Sequence, residues 1–155
     1  MNYYDEIASG YEELYGDEQH RKLAIIQAYF KPKKTDLILD VGCGSGLTTR
    51  IWNCKAIGID PAFKLLPKEP YYINGEAEYL PFKDNVFDVV ISVTALQNFH
   101  DIKKALHEIR RVGKRRFILS YLKKSKKSEE IRSLIQKLFN IKKIVIEDKD
   151  IIFFI

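Results

Sequence analysis

Cysteine is scarce in this chain of 155 residues: there are two, Cys43 and Cys54, and their spacing is not that of a metal site. Cys43 sits inside a glycine-rich turn, where a disulfide would obstruct any ligand. The expectation is therefore a reduced, cytoplasmic protein. No apolar run approaches the roughly 20 residues that a membrane helix needs, so no membrane partner is expected. The opening stretch "MNYYDEIASGYEE" is polar and acidic, unlike a signal or transit peptide. There is no Gly-Lys-Ser/Thr loop, no catalytic triad, no internal repeat and no low-complexity linker. The length suits one domain, 1–155, large enough to bury a real core.

What is present is ordinary in bulk and uneven in detail. The hydrophobic share is 46% and the charged share 30%, as in soluble globular proteins. The net charge is +5, and from Lys103 to Lys127 eleven Lys or Arg accompany a single acid, Glu108. Such a run reads either as a solvated surface or as a face for a polyanion such as RNA.

Periodicity divides the chain into elements. Tyr4, Ala8 and Tyr11, followed by Leu14 and Tyr15, recur at helical spacing. A break is expected near Gly16 and Asp17, then a second helix over about His20 to Phe30 with Leu23, Ile26, Gln27 and Phe30 on one side. Pro32 ends it. "LILDVG" and "KAIGID" read as strands buried on both faces. "LTTRIWN" is a short helix, and the proline-rich "PAFKLLPKEP" carries a turn of helix at most. "YYINGEA" is the third strand, "EYLPFKDN" a loop, and Phe87 to Val93 the fourth strand. "DIKKALHEIRRVG" is a helix with Asp101 as N-cap and Gly113 as C-cap. "RRFILSYL" is the fifth strand. "SEEIRSLIQKLF" is a helix opened by Ser128 as N-cap. "KKIVIE" and "DIIFFI" form an antiparallel hairpin, since nothing between them could cross over. The alternation implies a doubly wound α/β sheet of seven strands, mostly parallel.

In such a sheet, ligands bind beyond the carboxyl ends of the strands. "LDVGCGSGL" places Gly42, Gly44 and Gly46 there. A dinucleotide turn reads G-x-G-x-x-G and meets a pyrophosphate. Here the spacing is G-x-G-x-G and Asp40 precedes it, which would repel a pyrophosphate but accept from an ammonium. Asp60 ends the second strand about twenty residues on, where an acid accepts from both ribose hydroxyls. A nucleoside joined to an amino acid satisfies both features, and S-adenosylmethionine is that molecule.

The stretches "YYDEIASGYE", "LDVGCGSG", "AIGIDPA", "GEAEYLPFKDNVFDVVIS" and "ALQNFHDIKKALHEIRRV" resemble the class I S-adenosylmethionine-dependent methyltransferases, in the group similar to the small-molecule enzymes of quinone biosynthesis. The resemblance implies a Rossmann-like sheet ordered 3-2-1-4-5-7-6 with the last strand antiparallel. It places Asp40 and Gly42 at the methionine end of the cofactor, Asp60 at the ribose, Glu76 and Ala77 at the adenine edge, and Ser92 near the methionine moiety. It also implies that residues 1–30 form a helical lid bearing Tyr4 and Tyr11, over an αβ core of 37–155. The chain departs from the family in four places. Glu76 replaces the usual Asp. Gln97 and Asn98 stand where relatives often carry His. The segment after Asp60 is short for the usual helix, and the turn before the fifth strand is shortened to "VGKRR".

Methyl transfer from a sulfonium needs alignment and exclusion of water more than it needs a base. Gln97, Asn98 and His100, just past the fourth strand, are the candidates to meet the acceptor. His100 reads equally as an exposed residue before the next helix, His107 as surface, and Trp52 as core. Three readings of function stay open here. One is transfer to a small metabolite beneath the lid. Another is transfer to RNA or another macromolecule through the basic segment. The third is a non-catalytic binding protein, or a subunit completed by a partner chain or a second copy.

Overall fold

The computed structural model describes residues 3–155, except for the side chains of residues 11–15. Leu37–Val41 forms β1, Lys55–Asp60 β2, Tyr72–Asn74 β3, Phe87–Ser92 β4, Gly113–Leu122 β5, Lys143–Ile146 β6 and Asp150–Phe154 β7. They make one sheet of order β3-β2-β1-β4-β5-β7-β6. The first five strands pair in parallel, and β7 is antiparallel to both β5 and β6. The seven strands, their order and their directions are those expected from the sequence.

Among the described residues five α-helices accompany the sheet: α1 (Tyr3–Glu6), α2 (Tyr11–Tyr29), α3 (Leu47–Arg50), α4 (Ile102–Val112) and α5 (Ser128–Leu138). Strand residues alternate between two apolar layers. On one face Ile38, Val89, Ile91 and Ile118 join Leu23 and Ile26 of α2. On the other, Leu39, Val90, Phe117 and Leu119 join Ala105, Leu106 and Ile109 of α4 and Ile131 and Ile135 of α5. Trp52 packs with the first layer, edge-on to Phe30.

Several local expectations are corrected. The helix break lies at Ile7–Gly10, a bend and a 3₁₀ turn, while Gly16 and Asp17 run inside α2. A helical glycine costs only about 1 kcal/mol, which the packed Leu23 and Ile26 row offsets. Gln27 is exposed, not on the buried side. Ser128 is the first residue of α5 and caps nothing; the preceding turn is held instead by Ser125, whose Oγ accepts from the Lys127 N–H at 3.2 Å. No turn separates α4 from β5: Gly113 closes the helix in extended conformation and opens the strand. A Cβ there would press into Phe117 and Val90. The segment "EYLPFKDN" opens as a 3₁₀ turn, Ala77–Tyr79, and only then becomes loop. Asp101 does cap α4, accepting from the Lys104 N–H at 2.9 Å.

Candidate active site

The turn after β1 is fastened to the end of β2. The Gly42 and Cys43 N–H groups donate to the Ile59 carbonyl at 2.8 and 3.2 Å. The Gly44 N–H donates to Asp60 Oδ2 at 2.9 Å, and the Ala62 N–H to Asp60 Oδ1 at 2.7 Å. Gly42, at φ +76°, faces the chain leaving β4, and a Cβ there would overlap that of Ala95. Gly46, at φ +79°, precedes α3 as its N-cap, and a Cβ there would overlap the Tyr72 ring. The three glycines therefore differ in duty. Gly42 lets two turns touch, Gly44 faces the ligand space, and Gly46 serves packing.

A cavity of about 470 Å³ opens where the carboxyl ends of β1, β2 and β4 meet. Gly42, Gly44, Asp60, Val93, Thr94, Ala95, Asn98 and Phe99 line it, and Tyr3 and Tyr4 from the N-terminal segment form its outer wall. A neighbouring cavity of about 340 Å³ shares Gly42, Pro61, Asn98 and Phe99 and extends to Asp5, Glu76, Ala77 and His100. These volumes suit a small ligand.

Two carboxylates dominate the electrostatics. Asp40 is 1% exposed and accepts from Thr49 Oγ1 at 2.7 Å. Burial pushes its carboxyl up to about 7, the Thr49 hydrogen bond opposes the shift, and the charge of Asp60 adds to it. Asp60 lies higher than an ordinary carboxyl, also through burial, with the Ala62 and Gly44 N–H groups opposing. Two backbone donors do not exhaust the lone pairs of a carboxylate, so Asp60 can still accept hydroxyls from the cavity. Burial likewise pushes the Cys43 thiol far up, so it is no nucleophile at neutral pH.

The structure brings Gly42, Gly44, Asp60, Glu76, Ala77, Asn98 and His100 to the connected cavities. Asp40 stands out of the lining, held by Thr49. Ser92 is fully buried, and the wall beside it is made by Val93, Thr94 and Ala95. Gln97 turns away: its Nε2 donates to the Thr94 carbonyl at 2.7 Å and its Oε1 accepts from the Leu122 N–H. The Tyr11 side chain lies outside the described residues. Tyr4 takes part: its hydroxyl accepts from Asn98 Nδ2 at 2.8 Å. Asp5 adds a second tie across the cavities, accepting from the Lys64 N–H at 3.0 Å. Sequence reasoning missed Thr94 and Asp5. Nothing in the sequence marks a threonine that adopts φ +56°.

A seven-stranded sheet in this order, with a glycine turn after β1 and an acid closing β2, defines the class I S-adenosylmethionine-dependent methyltransferases. The chain belongs to that family: a family profile described as "Methyltransferase domain" matches residues 39–119. An uncharacterized protein of Methanocaldococcus jannaschii is 36% identical over 120 residues, 72% of this chain and 46% of the relative. The demethylmenaquinone methyltransferase of Thermotoga maritima is 30% identical over 134 residues, 75% of this chain and 57% of the enzyme. The chain thus spans about half the length of the curated relatives it matches. Among solved structures, a SAM-dependent methyltransferase of Thermotoga maritima superposes with a TM-score of 0.72 at 16% identity, covering 97% of this chain and 96% of that one. A candidate methyltransferase of Haloferax volcanii, solved in complex with the Trm112 methyltransferase activator, gives 0.67 at 22% identity, covering 78% and 61%. At those identities the likeness is one of fold.

Proposed function

We propose that this protein is an S-adenosylmethionine-dependent methyltransferase acting on a small acceptor enclosed beneath its N-terminal helices. The observation that carries the reading is the meeting of the Gly42–Gly46 turn with the Asp60 carboxylate at the floor of a cavity that Tyr3 and Tyr4 wall in. The residues present fit the cofactor. Among the described residues Gly44 leaves open space where a side chain would stand, with Leu65 at 3.9 Å, and Asp60 keeps acceptor capacity for the ribose hydroxyls. Glu76 and Ala77 suit the adenine end, and Asp40, behind the lining, answers the methionine ammonium once it gives up its proton. When bound, the cofactor supplies a methyl group on a sulfonium, whose bonding pair stays with sulfur as the methyl passes to the acceptor.

The chain's own part is alignment and exclusion of water. Tyr3 and Tyr4 cover the cavity, Asn98 fixes the Tyr4 hydroxyl and lines both cavities, and His100 lines the one that reaches Glu76 and Ala77. Calorimetric titration with S-adenosylmethionine, S-adenosylhomocysteine and NAD tests the reading. Micromolar binding of the first two, none of NAD, and loss of binding in Asp60→Ala are expected. Absence of binding by the folded wild type removes the cofactor assignment.

A second reading is favoured by one observation. The connection from β2 to β3 carries no helix and exposes Phe63 (71%) and Tyr71 (44%). That surface suits a partner subunit, and the Haloferax neighbour was itself solved in complex with an activator. Methylation of a small acceptor by the purified chain alone would set this reading aside.

A further inference from the structure

Lys22 of α2 is fully buried, and its ammonium lies among acceptors from three parts of the fold. It donates to Thr94 Oγ1 at 2.6 Å, Glu18 Oε1 at 3.3 Å and Asp150 Oδ1 at 3.4 Å. Asp150, also fully buried, accepts through Oδ2 from Thr94 Oγ1 at 2.6 Å and Ser120 Oγ at 2.8 Å. Thr94 itself is held on every polar atom. Its N–H donates to Ser120 Oγ at 2.8 Å, and its carbonyl accepts from Gln97 Nε2 at 2.7 Å. The cluster joins α2, β5, β7 and the chain leaving β4.

Its centre is strained. Thr94 has φ +56°, a conformation rare for a β-branched residue and kept only where the surroundings dictate it. A buried ion pair is a poor device for stability alone, because apolar residues of similar volume often do as well. What such a cluster can do is select one arrangement. Here the selected arrangement is that of the cavity. The strained turn presents Val93, Thr94 and Ala95 to the ligand space and sets Ala95 against Gly42. The helix that carries Lys22 leads back to Tyr3 and Tyr4 on the opposite wall.

We propose that Lys22, Asp150 and Thr94 form a latch that fixes both walls of the cavity at once, which makes Lys22 a positioning residue for methyl transfer. The latch rests on the methyltransferase reading only for its purpose; its existence is testable without a ligand. The variant Lys22→Met/Asp150→Asn removes both charges together and leaves neither buried ion unpaired. Hydrogen exchange of the ligand-free full chain is then compared with wild type. Exchange is expected to accelerate about tenfold or more in residues 3–10 and 93–98 together, with β1 and β4 unchanged. Affinity for S-adenosylhomocysteine falls by about tenfold in parallel. Faster exchange spread evenly over the sheet, or confined to one of the two segments, overturns the latch. If the double variant does not fold, Thr94→Val, which removes only the hydroxyl, is read in the same two segments by the same criterion. A wild type that ignores S-adenosylhomocysteine overturns the cofactor assignment, and exchange in the free protein still decides the latch.

Discussion

Asp40 holds its proton to about pH 7 because burial disfavours its charged form. The unfolded chain gives that proton up near the ordinary carboxyl value, about 4. The native state therefore binds the proton more tightly, and this group's contribution to stability declines as pH rises from about 4 to about 7. A ligand ammonium reverses the preference, since it favours the carboxylate. Cofactor affinity is thus expected to rise with pH up to about 7, approaching tenfold per unit at the limit of one linked proton. Titration of S-adenosylhomocysteine from about pH 5.5 to 7 checks this against Asp40→Asn, which should flatten the profile. A wild-type affinity constant across that window takes Asp40 out of the binding step. The glycines give a second contrast. Gly44→Ala meets open space and is expected to cost about 1–2 kcal/mol for its positive φ while obstructing the cofactor. Gly46→Ala adds overlap with Tyr72 and is expected to cost about 1–3 kcal/mol more. Denaturation midpoints should rank Gly46→Ala as the less stable, and titration should rank Gly44→Ala as the weaker binder relative to its stability.

Among the elements, α4 shows how a local signal becomes a boundary. Asp101 accepts from Lys104 N–H at its start, and the buried Glu78 accepts from the Asp101 N–H at 3.1 Å. Asp101→Ala is expected to lower stability by about 1 kcal/mol, read from the urea midpoint, with cofactor affinity intact. A collapse of affinity at unchanged stability would give Asp101 a chemical role instead. The same signal misled at Ser128, where the backbone turns three residues earlier at Ser125 and leaves the serine inside the helix. The first strands were legible because β1, β2 and β3 are apolar runs that end at Gly, Pro or Asn-Gly turns. The glycine turn and Asp60 were legible because their chemistry is local. Gln97 and Ser92 were not: both stand near the end of β4, but one side chain turns to the Thr94 carbonyl and the other into the core. Lys22 could have been suspected from its row, since it stands one turn before Ile26 on the buried side of α2. Its partner, 128 positions away at the start of β7, has no local mark.

Over the whole molecule the basic run breaks up. Arg111 is bound to Glu108, Asp84 and the carbonyls of Leu80 and Phe82. Arg116 pairs with Asp36, Lys114 with Asp88, Lys123 reaches the Glu147 carbonyl, Lys127 the Phe99 carbonyl, and Lys104 lies over the Tyr79 ring. The exposed remainder is scattered. Lys103 and Arg110 lie on α4, Arg115 stands near the start of β5, and Lys124 and Lys126 follow its far end, past the roughly 23 Å of strand rise between Arg115 and Leu122. RNA binding is therefore expected to be weak, with log K falling against log salt at a slope no steeper than about −2. A slope near −3.5 would show these cations acting as one surface. The sheet order carries a different consequence. β6 touches the sheet only through β7, which inserts between it and β5. β6 is made earlier, yet β7 is both the strand it pairs with and the one that joins it to the sheet. Its apolar residues, Ile144 and Ile146 among them, must wait unpaired during synthesis. Folding of this end is a single late event in which one strand docks and carries its hairpin partner with it.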